Sequence, residues 1–151
     1  MHIIRGDLLH LARTGAFDVI VHGCNCQCQM GKGIALSIRQ QFPAAYEADL
    51  RTPRGSSAKL GTFSSASVDV DGHVLTIVNA YTQLHWRGSG LKADYHAIRN
   101  VMRAIAHGFA GKRIGYPKIG AGLAGGDWSI ISAIIDEELQ DLDHSYVEFV
   151  G

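Results

Sequence analysis

Cysteine is scarce in this chain, and its placement excludes a disulfide-stabilised fold. The 151 residues contain three cysteines, Cys24, Cys26 and Cys28. An odd number of thiols in one short stretch cannot crosslink distant segments, so we expect a reducing compartment, the cytoplasm. The C-x-C-x-C spacing also differs from the C-x₂₋₄-C pairs of zinc sites, and no second pair of ligands follows. We therefore expect no metal.

Long apolar runs and an excess of charge are also missing. No run approaches the roughly 20 apolar residues of a membrane helix, and Met1–Arg5 lacks the charged and apolar regions of a signal peptide. The 14 Lys and Arg residues balance 14 Asp and Glu residues. A general polyanion binder has a basic excess, so neither nucleic acid nor a membrane is an expected partner. The length of 151 residues, 46% of them hydrophobic, fits one domain over residues 1–151, which we expect to be a monomer.

The stretch at residues 22–35, HGCNCQCQMGKGIA, is the most informative part of the sequence. It follows an apolar predicted strand, Val19–His22, and leads into a predicted helix over Gly33–Phe42. In an α/β protein such a loop lies at the carboxyl end of the sheet, where ligands bind. Gly31 and Gly33 let the backbone approach a ligand closely, and the free N–H groups of the new helix favour an anion. An ordinary polar turn is the alternative.

A second glycine loop, Pro117–Trp128, has the same setting. It follows a predicted strand, Arg113–Pro117, and precedes a predicted helix that Asp127 caps. Two such loops can face each other across one cleft and hold a diphosphate with backbone N–H groups. The first loop lacks the third glycine of a dinucleotide-binding fingerprint, so a plain Rossmann site is not expected.

The rest of the pattern alternates strands with helices, which indicates a sheet covered on both faces. An Asp71-Gly72 turn predicts a hairpin, which makes the sheet mixed. The further predicted elements are strands at Met1–Arg5, Leu60–Val70, His73–Asn79 and Tyr146–Val150, a loop at His85–Gly90 and a helix capped by Asp94.

Taken together, these motifs resemble the macrodomains, a family that binds ADP-ribose, and the resemblance covers almost the whole chain. It implies a single three-layer α/β/α domain with a mixed central sheet. It also implies that Asp7 takes the adenine 6-amino group, that Asn25 lies at the distal ribose, and that the two glycine loops hold the diphosphate. The ligand-binding residues it implies are Asp7, Leu8, Asn25, Gly31, Lys32, Gly33, Ile34, Ala35, Ile119, Gly120, Ala121, Gly122, Leu123, Ala124 and Gly125.

Within that family, the sequence segments HGCNC, MGKGIA and PKIGAGL are similar to those of one branch. It holds yeast-type ADP-ribose 1''-phosphate phosphatases and terminal ADP-ribose protein glycohydrolases. Its glycohydrolases use a lysine just after the middle strand and an aspartate in the second loop. Here Asn79–Thr82 has no lysine and the second loop has Ala124, so a covalent lysine mechanism is not expected. The phosphatases have a histidine at the end of the preceding strand, which His22 matches.

Two classes of function follow from the resemblance. The first is a hydrolase that acts at the 1'' end of ADP-ribose, on a phosphate, an acyl group or an ADP-ribosylated protein, without a cofactor. The second is a reader that binds ADP-ribose without chemistry. His22 is the candidate acid–base residue, with a buried loop-supporting histidine as the alternative. Asp127 is a candidate to position water, with a helix N-cap as the alternative. Trp86 could stack on a base or pack in the core.

Overall fold

The computed structural model describes residues 1–87 and 90–150, and its described strands form one six-stranded sheet. The strands are β1 (His2–Gly6), β2 (Val19–Asn25), β3 (Phe63–Val70), β4 (His73–Gln83), β5 (Arg113–Tyr116) and β6 (Asp143–Phe149). Their order across the sheet is β1-β6-β5-β2-β4-β3. Among them, β3 is antiparallel to its neighbour and the others run parallel. The predicted mixed sheet is confirmed.

Helices cover both faces of this sheet. They are α1 (Leu8–Arg13), α2 (Gly33–Gln41), α3 (Pro43–Leu50), α4 (Tyr95–Gly108) and α5 (Trp128–Glu138), with a 3₁₀ turn at Ser57–Lys59. Ile98 of α4 and Ile135 of α5 are fully buried in one core cluster, while Ile38 of α2 and Ala45 of α3 are fully buried in the other. These two cores, one on each face, make the predicted three-layer α/β/α arrangement.

The central strands run further than their apolar residues predict. The predicted second strand stops at His22, but β2 continues to Asn25 because it pairs with β4 over its whole length. Gly23–Asn25 is therefore strand and not loop. In the same way β4 extends four residues past Asn79, to Gln83. The last predicted strand, Tyr146–Val150, begins too late in the chain. In the structure β6 begins at Asp143, which pairs with Arg113 of β5.

The hairpin prediction is confirmed in detail. Asp71 and Gly72 have φ angles of 52° and 82°, which is the left-handed pair that a tight hairpin turn between twisted strands requires. In the described part of the chain, no helix combines the length and the apolar character needed to cross a membrane.

Five strands deliver their carboxyl ends to one edge of the sheet, and the two predicted glycine loops leave from adjacent strands there. The first loop, residues 26–32, follows β2, and the second loop, residues 117–127, follows β5. A third connection, residues 84–94, follows β4 and is called the bridging loop below. The predicted loop at His85–Gly90 lies in it, although Gly88 and Ser89 are outside the described residues.

Candidate functional site

The first loop is shaped by Asn25 and opens onto the start of α2. Asn25 Oδ1 accepts from Gln27 N at 2.9 Å, and Asn25 Nδ2 donates to Gln29 O at 2.9 Å. Its amide therefore spans the loop from within. Helix α2 begins after Lys32 without a side-chain cap, so its first N–H groups remain available for an anion.

The second loop closes on itself. Gly126 N donates to Gly120 O at 2.7 Å, and Gly125 N donates to Gly122 O at 3.1 Å. Leu123 at its tip is 70% exposed. A Cβ on Gly33 would lie 3.8 Å from Leu123 Cδ1, so the tip of the second loop reaches the start of α2. The space between these two loops is called the cleft below.

Five glycines of the cleft fall into two groups, and Gly126 is excluded from both because a Cβ there would lie 2.5 Å from Gly120 O. Gly33, Gly120 and Gly125 have φ angles of 57°, 71° and 73°, which L side chains rarely adopt. Gly31 and Gly122 are outside the left-handed region, and a Cβ at either would meet nothing within 4 Å. The folded chain itself therefore gives no steric reason for glycine at these two positions. A ligand that approaches the backbone closely would supply one.

The bridging loop joins both sides of the cleft. Leu84 O accepts from Cys26 N at 3.1 Å and from Gln27 Nε2 at 3.0 Å, in the first loop. At the other end, Lys92 N and Ala93 N donate to Ala124 O of the second loop at 2.7 and 3.2 Å. The cleft is thus bounded on its β4 side by the described residues of the bridging loop, 84–87 and 90–94.

This bounding segment presents an aromatic ring and a cation. Trp86 is 42% exposed, so core packing does not account for it. The Arg87 guanidinium lies 4.8 Å from the centre of the Trp86 ring. His85 Nδ1 accepts from the backbone N–H groups of both residues at 3.0 Å, which fixes the turn that displays them.

At the opposite end of the edge lies Asp7. Its Oδ1 caps α1, accepting from Leu9 N at 3.0 Å and His10 N at 3.2 Å. Its side chain is exposed, and Oδ2 accepts no hydrogen bond from the residues that the structure describes. Leu8 is buried in the core, so only its backbone could face a ligand. Phe149, which pairs with Gly6 at the end of β6, is 72% exposed and was missed, because a terminal strand residue carries no motif.

His22 lies below the loops, completely buried. Its Nε2 is 2.7 Å from Asn79 Oδ1. Because Asn79 Nδ2 donates to Ala45 O at 2.9 Å, Oδ1 is the acceptor and His22 Nε2 carries the proton. Burial lowers the pKa of His22 to about 4, against a smaller opposing effect of the Asn79 hydrogen bond. This geometry favours the loop-supporting alternative, and an acid–base role for His22 stays a prediction.

Asp127 is the N-cap of α5, the alternative weighed above. Its Oδ1 accepts from Ser129 N at 2.9 Å and from Ser129 Oγ at 2.6 Å, and the Ser129 hydrogen bonds lower its pKa. The carboxylate is exposed at the end of the second loop. Capping and water positioning are therefore compatible, and the second remains a prediction. All three cysteines are buried free thiols, and no metal-binding cluster occurs among the described residues.

Thr82 is a second residue that the sequence did not reveal. Its hydroxyl is buried and has no hydrogen-bond partner within the described residues. A Cβ on Gly23 would lie 2.9 Å from Thr82 Oγ1 and 3.3 Å from Ile119 Cγ2. Gly23 is therefore needed where β2 and β4 pass beneath the start of the second loop.

Comparison with known proteins agrees with this architecture. A model of the Macro domain family matches residues 21–135. The chain belongs to that family. It is 34% identical to an uncharacterised 17.5 kDa protein of bacteriophage T4, over 97% of this macrodomain and 94% of the phage protein.

Two activities appear in the names of the relatives, DNA ADP-ribosyl glycohydrolase and ADP-ribose 1''-phosphate phosphatase. The DNA ADP-ribosyl glycohydrolase of Mycobacterium tuberculosis is 31% identical over 91% of this chain, which spans 39% of that protein's length. The solved macrodomain of M. tuberculosis DarG aligns with a TM-score of 0.68 at 25% identity, covering 96% of both chains. The ADP-ribose 1''-phosphate phosphatase of Scheffersomyces stipitis is 28% identical over 87% of this chain and 91% of that protein.

Proposed function

We propose that this macrodomain binds ADP-ribose across the carboxyl edge of its sheet and hydrolyses the bond at the 1'' position. The proposal rests on the structure of the cleft. It holds an uncapped helix start and two glycines, Gly31 and Gly122, that face open space without a conformational reason. A diphosphate fits such a place, because backbone N–H groups and a helix dipole stabilise its charge.

The strand order gives the ligand a direction. Asp7 and Phe149 lie at the β1–β6 end of the edge, and an exposed carboxylate oxygen beside an exposed aromatic ring suits the amino group and face of adenine. The diphosphate then lies between the two loops over β5 and β2. The distal ribose extends toward β4, which brings its 1'' carbon to the bridging loop.

ADP-ribose 1''-phosphate is the first substrate to consider, because phosphatases of this kind are among the relatives and because Arg87 is at the corresponding end. Water attacks the 1''-phosphorus, the P–O bond to the ribose breaks, and ADP-ribose and inorganic phosphate leave. His22 holds the end of β2 from below and is neutral at pH 7. Water activation is therefore assigned to the substrate's own phosphate. The macrodomain contributes orientation.

A second candidate substrate is ADP-ribose joined to a base of a nucleic acid strand. It is favoured by the Trp86–Arg87 pair, because an exposed indole and a guanidinium can receive a base and a phosphate of the strand. The glycohydrolase of M. tuberculosis is named for activity on DNA. Reading of ADP-ribose without chemistry is the third outcome.

One experiment separates these functions. The pure macrodomain is incubated with ADP-ribose 1''-phosphate, with ADP-ribosylated single-stranded DNA and with ADP-ribosylated protein, and release of ADP-ribose is followed by liquid chromatography. Calorimetry with free ADP-ribose runs in parallel. Binding with a dissociation constant on the order of micromolar, about −8 kcal/mol, is expected. Binding without turnover of any substrate would make the macrodomain a reader. Absence of both would overturn the proposal.

A further inference from the structure

Beneath the first loop lies a buried cation that the proposed reaction does not use. Lys59 is 5% exposed. Its Nζ donates to Cys26 O at 3.1 Å and lies 3.7 Å from Cys28 Sγ and 4.5 Å from the centre of the Tyr81 ring. Burying an ammonium is costly unless it is well paired. A charge placed there, with its hydrogen bonds directed at the backbone and thiol of one loop, indicates a role in that loop.

Cys28 has a strained backbone conformation in the same loop. Its φ angle is 56°, and among the described non-glycine residues only Asp71, in the hairpin turn, shares the left-handed region. Such a conformation persists only where the surroundings hold it. Here the thiol does so: Cys28 Sγ donates to Asp49 O at 3.2 Å and lies 3.6 Å from Thr52 Oγ1, besides its contact with Lys59.

Lys59 and Cys28, together called the anchor below, are also connected to the rest of the core. Asp49 is buried, and its Oδ1 accepts from Tyr81 Oη at 2.7 Å. The Asp49 carboxylate thus binds the hydroxyl at the edge of the Tyr81 ring, and the Lys59 ammonium lies over the ring itself. Tyr81 therefore connects both groups to β4.

We propose that the Lys59 ammonium and the Cys28 thiol are the positioning residues of the first loop, holding Cys28 in its left-handed conformation so that residues 29–33 face the cleft. The inference rests on the proposed function, since the value of that position is contact with the diphosphate and distal ribose of ADP-ribose. It also assigns a role to the CNCQC stretch: its last thiol holds the loop, and Cys26 supplies a carbonyl oxygen and not a reactive thiol.

The test compares matched variants. Cys28→Ser keeps a donor to Asp49 O, whereas Cys28→Ala removes it. Cys28→Gly also removes it but tolerates the φ angle. Lys59→Met keeps the volume and removes the charge. The controls are Cys26→Ala, which leaves the carbonyl bonded to Lys59, and the exposed Lys112→Met. Each is measured for affinity toward ADP-ribose and toward AMP, for melting temperature, and for hydrogen exchange of the amides at 26–33.

We expect Cys28→Ala and Lys59→Met to lose about tenfold or more in ADP-ribose affinity, the factor that corresponds to about one lost hydrogen bond. AMP, which lacks the second phosphate and the distal ribose, should lose much less affinity than ADP-ribose. Cys28→Ser should bind as the wild type does, and Cys28→Gly should lie between Ser and Ala. Exchange at 26–33 should speed up in Cys28→Ala and Lys59→Met and stay at the wild-type rate in Cys28→Ser.

Equal losses for AMP and ADP-ribose would identify a general structural role and overturn the inference, as would unchanged ADP-ribose affinity in Cys28→Ala and Lys59→Met. If the wild type binds no ADP-ribose, the proposed function fails while the exchange rates still decide whether the anchor holds the loop. If Lys59→Met does not fold, the Cys28 series gives the decision alone.

Discussion

At the scale of the residue, one side chain can serve structure and ligand at once. The resemblance implies that Asp7 contacts adenine, and the structure shows that it also caps α1. The structure shows the cap made by Oδ1 alone, with Oδ2 turned toward solvent. The two roles therefore use different oxygens. The motif could predict that Asp7 matters, but the division of its oxygens depends on how α1 begins.

This division allows the two roles of Asp7 to be separated by mutation. Asp7→Ser retains a capping oxygen, so its melting temperature should stay close to that of the wild type. It removes the second oxygen, so ADP-ribose binding should weaken by about 1.5–3 kcal/mol in calorimetry. Asp7→Ala should weaken binding equally and also lose about 1 kcal/mol of stability with the cap. Wild-type affinity in Asp7→Ser would remove Asp7 from the site.

The burial of His22 predicts how the stability of the fold depends on pH. Its native pKa of about 4 lies below the unfolded value of about 6.5, so between these values the unfolded chain binds a proton that the native state does not. The stabilisation is complete above pH 6.5 and falls as pH drops toward 4, by about 3 kcal/mol in total at about 1.4 kcal/mol per pKa unit.

Thermal melts between pH 7 and 5 measure this effect, before most carboxylates titrate. His22→Gln should melt with a shallower dependence on pH. His144→Gln is the control, because burial lowers the pKa of His144 too, and the slope due to His22 should persist in that variant. An unchanged slope in His22→Gln would show that His22 is solvated and able to act in acid–base chemistry.

At the scale of the element, the glycine loops and the helices after them could be predicted from sequence, and the strand bounds could not. Gly, Asp and Pro mark loops and helix starts by local chemistry, which the sequence displays directly. The extension of β2 through Asn25 and of β4 through Gln83 depends on pairing between residues about 57 positions apart. The strand order and the Lys59 anchor are equally non-local, and a lone loop lysine carries no signal.

The role of the second loop in ligand binding can be tested with one substitution. Because Gly122 has an ordinary φ and faces open space, Gly122→Val should fold with a melting temperature near that of the wild type. Its side chain would fill the space that the proposed function assigns to the diphosphate, so ADP-ribose binding should be abolished in calorimetry. Gly108→Val, an exposed glycine at the end of α4 away from the cleft, is the control and should bind normally. Retained affinity in Gly122→Val would show that this loop does not cradle the diphosphate.

The contact between the second loop and the bridging loop, called the joint here, is a further feature at the scale of the element. A Cβ on Gly125 would lie 2.6 Å from Gly90 O, and the φ angle of Gly125 is 73°. Gly125→Ala should therefore push the bridging loop off the second loop, which lowers both the melting temperature and the affinity for ADP-ribose. Gly15→Ala, with a φ of 90° and nothing within 4 Å, controls for backbone strain alone and should keep its affinity. If Gly125→Ala also keeps it, the joint is not needed to form the cleft.

At the scale of the whole molecule, zero net charge conceals a segregation of charge. The loops at the carboxyl edge, among them residues 51–62 before β3, carry six solvent-accessible cationic side chains against three carboxylates, and each of the three carboxylates is a helix N-cap. The rest of the chain is correspondingly acidic. A net charge of zero therefore does not exclude a nucleic acid partner, because a partner meets one face of the molecule and not the summed charge. The cations are Lys32, Arg51, Arg54, Arg87, Lys92 and Lys118.

This polarity predicts how binding responds to salt. The field of a basic edge strengthens binding of an anion and is screened as the Debye length falls, from about 14 Å near 0.05 M salt to about 4 Å near 0.5 M. The affinity of ADP-ribose should therefore weaken by about threefold or more over this range. Adenosine, which is uncharged, should respond little. Asp141→Lys, on the opposite edge, should leave the salt dependence unchanged, whereas Arg87→Gln should reduce it, because Arg87 lies at the cleft. A salt response that is equal for adenosine and ADP-ribose would mean that salt acts on the fold or on apolar contacts, and that the charge of this edge does not draw the ligand in.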